Sequence, residues 1–195
     1  MKALGICGSA RRGGNTDLLI KSVLEGAASK GMTTEEVFIS DLDIAPCRGC
    51  ATCKDTSEKC VIEDDFHGVV DKIRDADLVV IGSPVYMGQV TGQSKTFLDR
   101  LYSLRRRDRT IRLDGTRKKG VLVVVCGSTD PEHPNPAKRT LGVLFRYLNT
   151  PDVKEIVEQG TGPVGDLLKR PDALNRAKDV GATLAARLAV EADGR

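Results

Sequence analysis

The run LVVIGS, residues 78–83, is the clearest indication of the fold. Four consecutive apolar residues are followed directly by a glycine and a serine. Such a run is typical of a strand that is buried on both faces of a parallel sheet. Further strand-like runs occur at 3–7, at 120–128 and at 153–160, and a run mixed with polar residues occurs at 33–40. The sequence therefore predicts five strands, with the stretch 33–40 at an edge.

Helical patterns separate these runs. Phe66, Val69, Val70 and Ile73 recur at the spacing of one helix face. We expect Asp64 and Asp65 to lie in the first turn of this helix, where the helix dipole favours negative charge.

Further helices are predicted over 16–31 and 92–104, around Leu141–Leu148 and around Leu174–Leu188. Apolar strands that alternate with helices indicate a parallel sheet with helices on both faces. Five such units fit an α/β, flavodoxin-like, doubly wound sheet of order 2-1-3-4-5. We expect residues 1–195 to form a single domain.

The composition excludes several classes of protein. The chain has 195 residues, 40% of them hydrophobic, and a net charge of +3, which is too mild to indicate nucleic-acid or membrane binding. Its longest apolar run is far shorter than the roughly 20 residues that span a bilayer. The N-terminal stretch lacks the features of a secretory signal, so we expect a cytoplasmic protein.

The first loop, GSARRGGNT at residues 8–16, joins a strand to a helix N-terminus. Its glycines let backbone N–H groups turn toward one point, and Ser9, Asn15 and Thr16 add polar donors. Arg11 or Arg12 adds positive charge. Together with the helix dipole, these features predict an anion site.

The spacing in this loop indicates which anion it holds. Gly14 and Asn15 stand where a Walker A motif has Lys and Ser/Thr, and the dinucleotide fingerprint G-x-G-x-x-G is absent. A terminal monophosphate therefore fits better than a pyrophosphate. The alternative is an ordinary turn in which Asn15 or Thr16 caps the helix.

The second loop, within SPVYMGQVTGQSKTFLDR at residues 83–100, follows the third strand. Pro84 fixes one backbone angle, Gly88 permits close backbone approach, and Tyr86 and Met87 offer flat or soft apolar surface. Such a loop suits the edge of an isoalloxazine ring. The alternative is a structural crossover loop.

Four of the six cysteines lie in APCRGCATCKDTSEKC, residues 45–60. Their spacing is Cys47-x2-Cys50-x2-Cys53-x6-Cys60, which suits the four thiolate ligands of a [4Fe–4S] cluster. A zinc site, a redox dithiol and a purely structural loop stay open as alternatives. Cys7 and Cys126 end apolar strands, and we expect both to be small buried residues.

These loops, with the Gly-Ser pair after the fourth strand, resemble the flavodoxin-like superfamily of NADPH-dependent FMN reductases. The compact cysteines between the second and third strands resemble its iron–sulfur flavoprotein branch. The resemblance extends over nearly the whole chain. It implies FMN as a cofactor, a [4Fe–4S] cluster in the segment 45–62, and NAD(P)H as a co-substrate.

The resemblance also implies which residues bind the cofactor. The residues expected at the FMN phosphate are Ser9, Arg11, Gly14, Asn15 and Thr16. Those expected along the ring are Pro84, Val85, Tyr86, Met87 and Gly88, with Gly127 and Ser128 near its other edge. No side chain is expected to act as an acid or base, because the flavin carries the chemistry.

The implied function is that of an FMN-dependent oxidoreductase. Electrons would pass between a donor (ferredoxin or NAD(P)H), the cluster, FMN and a small acceptor such as a quinone. The alternative is a cluster-free NAD(P)H-dependent FMN or quinone reductase with structural or zinc-binding cysteines, and a third reading is an electron-carrier module. The resemblance implies a homodimer or homotetramer.

The arginine-rich segment RRRDRTIR, Arg105–Arg112, allows several interpretations. It would suit the 2′-phosphate of NADPH, an acidic electron carrier or a neighbouring subunit. A solvated helix end is the alternative.

Overall fold

The computed structural model describes residues 1–113 and 115–193, and a five-stranded parallel sheet forms its centre. The strands are β1 (Lys2–Cys7), β2 (Thr33–Phe38), β3 (Leu78–Pro84), β4 (Lys119–Val125) and β5 (Asp152–Glu158). Their order is β2-β1-β3-β4-β5, and each neighbouring pair is parallel. The predicted flavodoxin-like order 2-1-3-4-5 is therefore confirmed, with β2 at an edge.

Helices cover both faces of the sheet. The α-helices of the described chain are α1 (Asn15–Ala28), α2 (Thr52–Asp55), α3 (Phe66–Asp75), α4 (Gly92–Arg100), α5 (Asn135–Leu148) and α6 (Pro171–Asp193), and all but the short α2 pack on the sheet. Helices α1 and α6 pack on one face, whereas α3, α4 and α5 pack on the other. In the described part of the chain, none of these helices has the length and apolar character that crossing a membrane requires.

The inner strands are apolar on both sides because both of their faces are covered. In β1, Leu4 and Ile6 face α3, α4 and α5, whereas Ala3 and Cys7 face α1 and α6. This alternation follows from the two-residue period of a strand. Burial on both faces explains why the sequence shows continuous apolar runs rather than alternating ones.

Two glycines allow α1 and α6 to approach each other closely. A Cβ atom on Gly26 would overlap the carbonyl oxygen of Lys178, and one on Gly181 would overlap the carbonyl oxygen of Val23. The tight contact holds α1 in place. The N-terminus of α1, which ends the first loop, is positioned by this packing.

The prediction that Asp64 and Asp65 lie in the first turn of α3 was wrong. The helix begins at Phe66, and both aspartates precede it. Asp65 Oδ2 accepts the N–H of Asp43 at 2.8 Å, and Asp64 binds Arg100 at 2.6 Å. Asp64 Oδ1 also accepts the N–H of Phe66, the first residue of α3, at 3.2 Å, so the two carboxylates contact other segments as well as the start of the helix.

The helix predicted over 92–104 is divided into two parts. Helix α4 ends at Arg100, and a 3₁₀ turn over Leu101–Leu104 follows it. The hydroxyl of Ser103 donates to the carbonyl oxygen of Arg100 at 2.9 Å, which is a local alternative to helical bonding.

Candidate functional site

A cleft of about 100 Å³ lies at the carboxyl edge of the sheet, where the loops after β1, β3, β4 and β5 meet. Its walls are formed by Ser9, Arg11, Gly14, Asn15, Thr16, Pro84, Val85, Tyr86, Val125, Cys126, Gly127, Thr161, Gly162, Pro163 and Val164. The cleft thus brings together predicted residues from all three loops. Met87, Gly88 and Ser128 do not line it.

The N-terminus of α1 opens into this cleft. Gly14 precedes the helix in an extended conformation, and no described side chain caps the first turn. Its N–H groups can therefore bind an anion, which the helix dipole also favours. The Oγ atom of buried Ser9 accepts the N–H of Arg11 at 3.1 Å and so stabilises the loop.

The two arginines of the loop have different surroundings. Arg11 lines the cleft. The guanidinium of Arg12 lies 4.2 Å from the centre of the Phe38 ring and pairs with Asp41. Arg11 is therefore the arginine that can contribute charge to an anion in the cleft.

Buried Asp17 supports the loop from within the fold. Its Oδ2 atom accepts the N–H of Gly13 at 2.6 Å, and its Oδ1 atom lies 2.8 Å from Nζ of Lys21. Gly13 has a φ of +68°, which favours glycine. Burial, and then the charge of Asp17, raise the pKa of neighbouring Glu36 to about 7.

The side chain of Asn15 joins two walls of the cleft. Its Nδ2 atom donates to the carbonyl oxygen of Pro163 at 3.1 Å, and its Oδ1 atom accepts the N–H of Leu167 at 3.1 Å. Both ends of the amide are therefore occupied. The donors that Asn15 can still offer to a phosphate are its backbone N–H and the second N–H of Nδ2.

The loop after β3 forms the opposite wall. Pro84, Val85 and Tyr86 line the cleft. The N–H of Val85 donates to the carbonyl oxygen of Val125 at 2.8 Å, which ties this wall to the end of β4. Tyr86 lines the cleft and is 46% exposed, so it is also accessible to solvent.

Met87 and Gly88 form the tip of a tight turn. Tyr86 and Gln89 exchange two backbone hydrogen bonds, at 2.8 and 3.0 Å. Both central residues have positive φ, 48° for Met87 and 75° for Gly88, as in a type I′ turn. The Met87 side chain is fully exposed. Contact of these two residues with a ring stays a prediction.

Sequence reasoning missed the loop after β5. Residues 161–164 line the cleft, and the hydroxyl of Thr161 donates to the carbonyl oxygen of Cys126 at 3.2 Å. The signal was present in GTGPVG at 160–165, a glycine-rich run directly after a strand. Predicted Ser128 lies just outside the wall, where its carbonyl oxygen accepts the N–H of Gly160 at 3.2 Å.

The four clustered cysteines line a second, smaller cavity. Cys47, Cys50, Cys53 and Cys60 surround about 30 Å³ of space, together with residues that include Arg100 and Tyr102. Cys47 and Cys50 are exposed, whereas Cys53 and Cys60 are buried, and all four are free thiols. We call residues 45–62 the cysteine loop.

Backbone geometry brings these thiols to the same cavity. Gly49 and Ala51 both have positive φ, 66° and 58°, so the chain turns sharply between Cys47 and Cys53. Hydrogen bonds from the hydroxyl and the N–H of Thr52 hold the pKa of Cys50 below its ordinary value.

Burial raises the pKa of the Cys53 thiol, although nearby Lys54 opposes the rise. The Nζ atom of Lys54 lies 3.6 Å from the centre of the Tyr102 ring. A cation therefore sits beside the cysteine cavity.

The donor set fits an iron–sulfur cluster. Such a cluster needs four thiolates, and four thiols share this cavity with Arg100 at its wall. Within residues 1–113 and 115–193, no group of three or more His, Cys, Asp or Glu side chains stands in a metal-binding arrangement. The four thiols therefore share a cavity without converging on one point.

The other two cysteines are buried, as predicted. Burial raises the pKa of Cys7 to about 12 and also raises that of Cys126. Neither lines the cysteine cavity.

Arginines of the segment Arg105–Arg112 pair with the cysteine loop. Arg107 Nε donates to Asp55 at 2.8 Å. Arg112 binds Glu58 at 2.7 Å and the carbonyl oxygen of Cys53 at 2.8 Å. These pairs give part of the basic segment an intramolecular role that sequence reasoning did not consider.

Helix α4 links the cleft to the cysteine cavity. Thr91, which caps the helix, donates its hydroxyl to the carbonyl oxygen of Gly8 at 2.7 Å beside the cleft. Arg100, the last residue of α4, lines the cysteine cavity. A helix of nine residues is about 13 Å long, so one rigid element connects the two sites.

Comparison with known proteins places the chain among flavoproteins. Residues 1–160 match the family described as NADPH-dependent FMN reductase. The chain is 40% identical over 128 residues to an iron–sulfur flavoprotein of Methanosarcina thermophila. This match covers 66% of this chain and 64% of that protein. It is 43% identical over 105 residues to an iron–sulfur flavoprotein of Methanocaldococcus jannaschii, and this match covers 54% of each chain. The chain therefore spans about half to two thirds of the length of these relatives.

A solved structure shows the same fold. The NAD(P)H:quinone oxidoreductase from Methanothermobacter marburgensis superposes with a TM-score of 0.72 at 18% identity. The match covers 94% of this chain and 96% of that one. At this identity, the likeness concerns the fold alone.

Proposed function

The chain belongs to the family of NADPH-dependent FMN reductases, and on that premise we propose that it is an FMN-dependent oxidoreductase carrying a [4Fe–4S] cluster. FMN would bind in the cleft at the carboxyl edge of the sheet. The cluster would bind to the four cysteines of the cysteine loop. The names of the two iron–sulfur flavoproteins support this proposal.

One observation carries the FMN proposal: the uncapped N-terminus of α1 opens into a cleft that residues of four strand-end loops line. A phosphate there would accept hydrogen bonds from the backbone N–H groups of the first helical turn. Arg11 would add a positive charge, and Ser9 would hold the loop in shape. Asp17 would keep Gly13 in its left-handed conformation.

The walls of the cleft suit a flat ring. Pro84, Val85 and Tyr86 would contact one side of the isoalloxazine, and Gly127 would lie near its other edge. Thr161–Val164 would close the cleft from the β5 side. These residues would orient the ring and exclude water from it. When bound, FMN supplies the acceptance of two electrons and their release singly or together.

Cys47, Cys50, Cys53 and Cys60 would each ligate one iron of the cluster. When bound, the cluster supplies single-electron transfer. The chain's own contribution is to hold four thiols around one cavity, with Arg100 at its wall and Lys54 beside it. We propose ferredoxin or NAD(P)H as the donor, a small molecule such as a quinone as the acceptor, and a homodimer or homotetramer as the assembly.

Comparing two ligands tests the phosphate site. Flavin-free protein is titrated with FMN and with riboflavin, which lacks the phosphate, and flavin fluorescence reports binding. We expect FMN to bind about 100-fold more tightly, because it alone gains charge-assisted hydrogen bonds to the loop. Equal affinities would contradict the proposed position of FMN.

Steady-state kinetics test the reductase activity. Oxidation of NADPH with a quinone acceptor is measured under anaerobic conditions, with free FMN at the same concentration as the control. We expect turnover well above the control. Turnover at the level of free FMN, in protein that retains its flavin, would indicate an electron carrier instead.

A further inference from the structure

The guanidinium of Arg100 is fully buried and carries an unusual set of contacts. Its Nη1 atom donates to the carbonyl oxygen of Ala45 at 2.8 Å and to Oδ2 of Asp64 at 2.6 Å. Its Nη2 atom donates to the carbonyl oxygen of Ile62 at 3.1 Å and to Oδ1 of Asp64 at 3.1 Å. The two terminal nitrogens are therefore fully engaged.

The two carbonyl acceptors bracket the cysteines. Ala45 lies two residues before Cys47, and Ile62 lies two residues after Cys60. One guanidinium thus joins the beginning and the end of the cysteine loop. The bidentate pair with Asp64 fixes its orientation, because such pairs hold both groups in one plane.

The third nitrogen, Nε, is buried and has no acceptor in the described part of the chain. Arg100 lines the cavity that the four cysteines surround. Cys60 lines the same cavity, so its thiol faces the space that the guanidinium borders. Buried N–H groups are rarely left without an acceptor, so this one is a donor available to a sulfur atom.

We propose that Arg100 is a positioning residue of the cysteine site. It closes the ends of the cysteine loop and donates Nε–H to the sulfur of Cys60 or to a sulfide of the bound cluster. The inference rests on the proposed function, because the donation matters only where the cysteines hold a cluster. Hydrogen bonds to cluster sulfurs raise the reduction potential, since they stabilise the more negative reduced state.

Amide hydrogen exchange of the metal-free protein tests the closing of the loop. Arg100→Lys keeps the charge but loses the forked geometry that reaches both loop ends. We expect the hydrogen-bonded amides of Ala45 and Asp65 to exchange about tenfold faster in this variant. The control is Arg107→Lys, whose exposed pair with Asp55 should leave those amides unchanged. Wild-type exchange in Arg100→Lys would overturn the anchoring.

The midpoint potential tests the donation to sulfur. Wild type, Arg100→Lys and Arg107→Lys are reconstituted anaerobically with iron and sulfide, and the cluster absorbance is titrated against potential. We expect a more negative midpoint for Arg100→Lys alone. A wild-type midpoint at full iron occupancy would overturn the donation. Wild-type protein that takes up no iron would overturn the proposed cluster and the donation with it, while the exchange measurement still decides the anchoring.

A measurement on the wild type covers the case in which Arg100→Lys fails to fold, as judged by lost FMN binding. Protein labelled with ¹⁵N-arginine is compared before and after reconstitution. We expect an Nε–H resonance that is protected from solvent exchange to shift when iron and sulfide are added. Arginine resonances that all stay in place would overturn the proposal.

Discussion

The side-chain amide of Asn15 donates a hydrogen bond to the carbonyl oxygen of Pro163 across 3.1 Å, although 148 residues separate the two along the chain. The bond joins the first turn of α1 to the loop after β5. Both residues line the cleft in which we place FMN. The cleft therefore depends on a contact between two walls as well as on each wall.

Replacing Asn15 tests this dependence. Asn15→Ala removes the bonds to Pro163 and Leu167, and we expect FMN affinity to fall about tenfold. Asn15→Asp keeps the acceptor but loses the donor and places a negative charge near the phosphate, so we expect FMN affinity to fall further in this variant. Fluorescence titration with FMN measures both. Wild-type affinity in Asn15→Ala would show that the bridge does not shape the cleft.

The two arginines of the first loop should differ in their effect. Arg11→Ala removes the charge that lines the cleft, and we expect FMN affinity to fall about tenfold while riboflavin affinity stays unchanged. Arg12→Ala is the matched control, because Arg12 binds Phe38 and Asp41 instead. Fluorescence titrations with FMN and with riboflavin measure the affinities of both variants. A larger effect from Arg12 than from Arg11 would contradict the assignment.

Glu36 should make stability depend on pH. Burial raises its pKa from 4.5 to about 7 in the folded state, so its stabilising contribution is complete below pH 4.5 and is lost as the pH rises through 7. After allowance for solvent screening, we expect that loss to be about 1–2 kcal/mol.

The Glu36→Gln variant should lose this dependence. Urea unfolding of wild type and variant at pH 5 and pH 8 gives the difference. Glu35→Gln is the control, because Glu35 directly precedes Glu36 on β2 but has an exposed side chain that pairs with Lys72. A Glu36→Gln protein that loses as much stability as wild type between the two pH values would refute the prediction.

Substitution of single cysteines should separate the two sites. Serine at position 47, 50, 53 or 60 removes a ligand, and we expect iron content to fall about tenfold or more. FMN content should stay near one per chain, because the cleft has its own lining. Cys7→Ala is the control, since Cys7 lies outside the cysteine cavity. Iron retained in all four variants would argue against the assigned ligands.

Much of the fold could be predicted from the sequence because strand and helix periodicity is local. The strand order was confirmed, as were the resemblances to NADPH-dependent FMN reductases and to iron–sulfur flavoproteins. Three glycine-bearing strand ends pointed to one edge of the sheet, where parallel strands must end together. That topological rule explains why residues as distant as Ser9 and Gly127 line one cleft.

The features that sequence reasoning missed depend on long-range contacts. Asp64 looked like a first-turn carboxylate, but its partner Arg100 lies 36 residues away. The bond from the Asn15 amide to Pro163, in the loop after β5, was not predicted either, whereas contact of Asn15 with a phosphate stays a prediction. Local pattern does not reveal such partners, because they meet only when the chain has folded.

The iron and acid-labile sulfide content of anaerobically purified protein tests the central claim most directly. The account predicts about four irons and four sulfides per chain, together with one FMN. Protein that binds FMN but contains neither iron nor sulfide, even after anaerobic reconstitution, would contradict it and would leave a cluster-free flavin reductase.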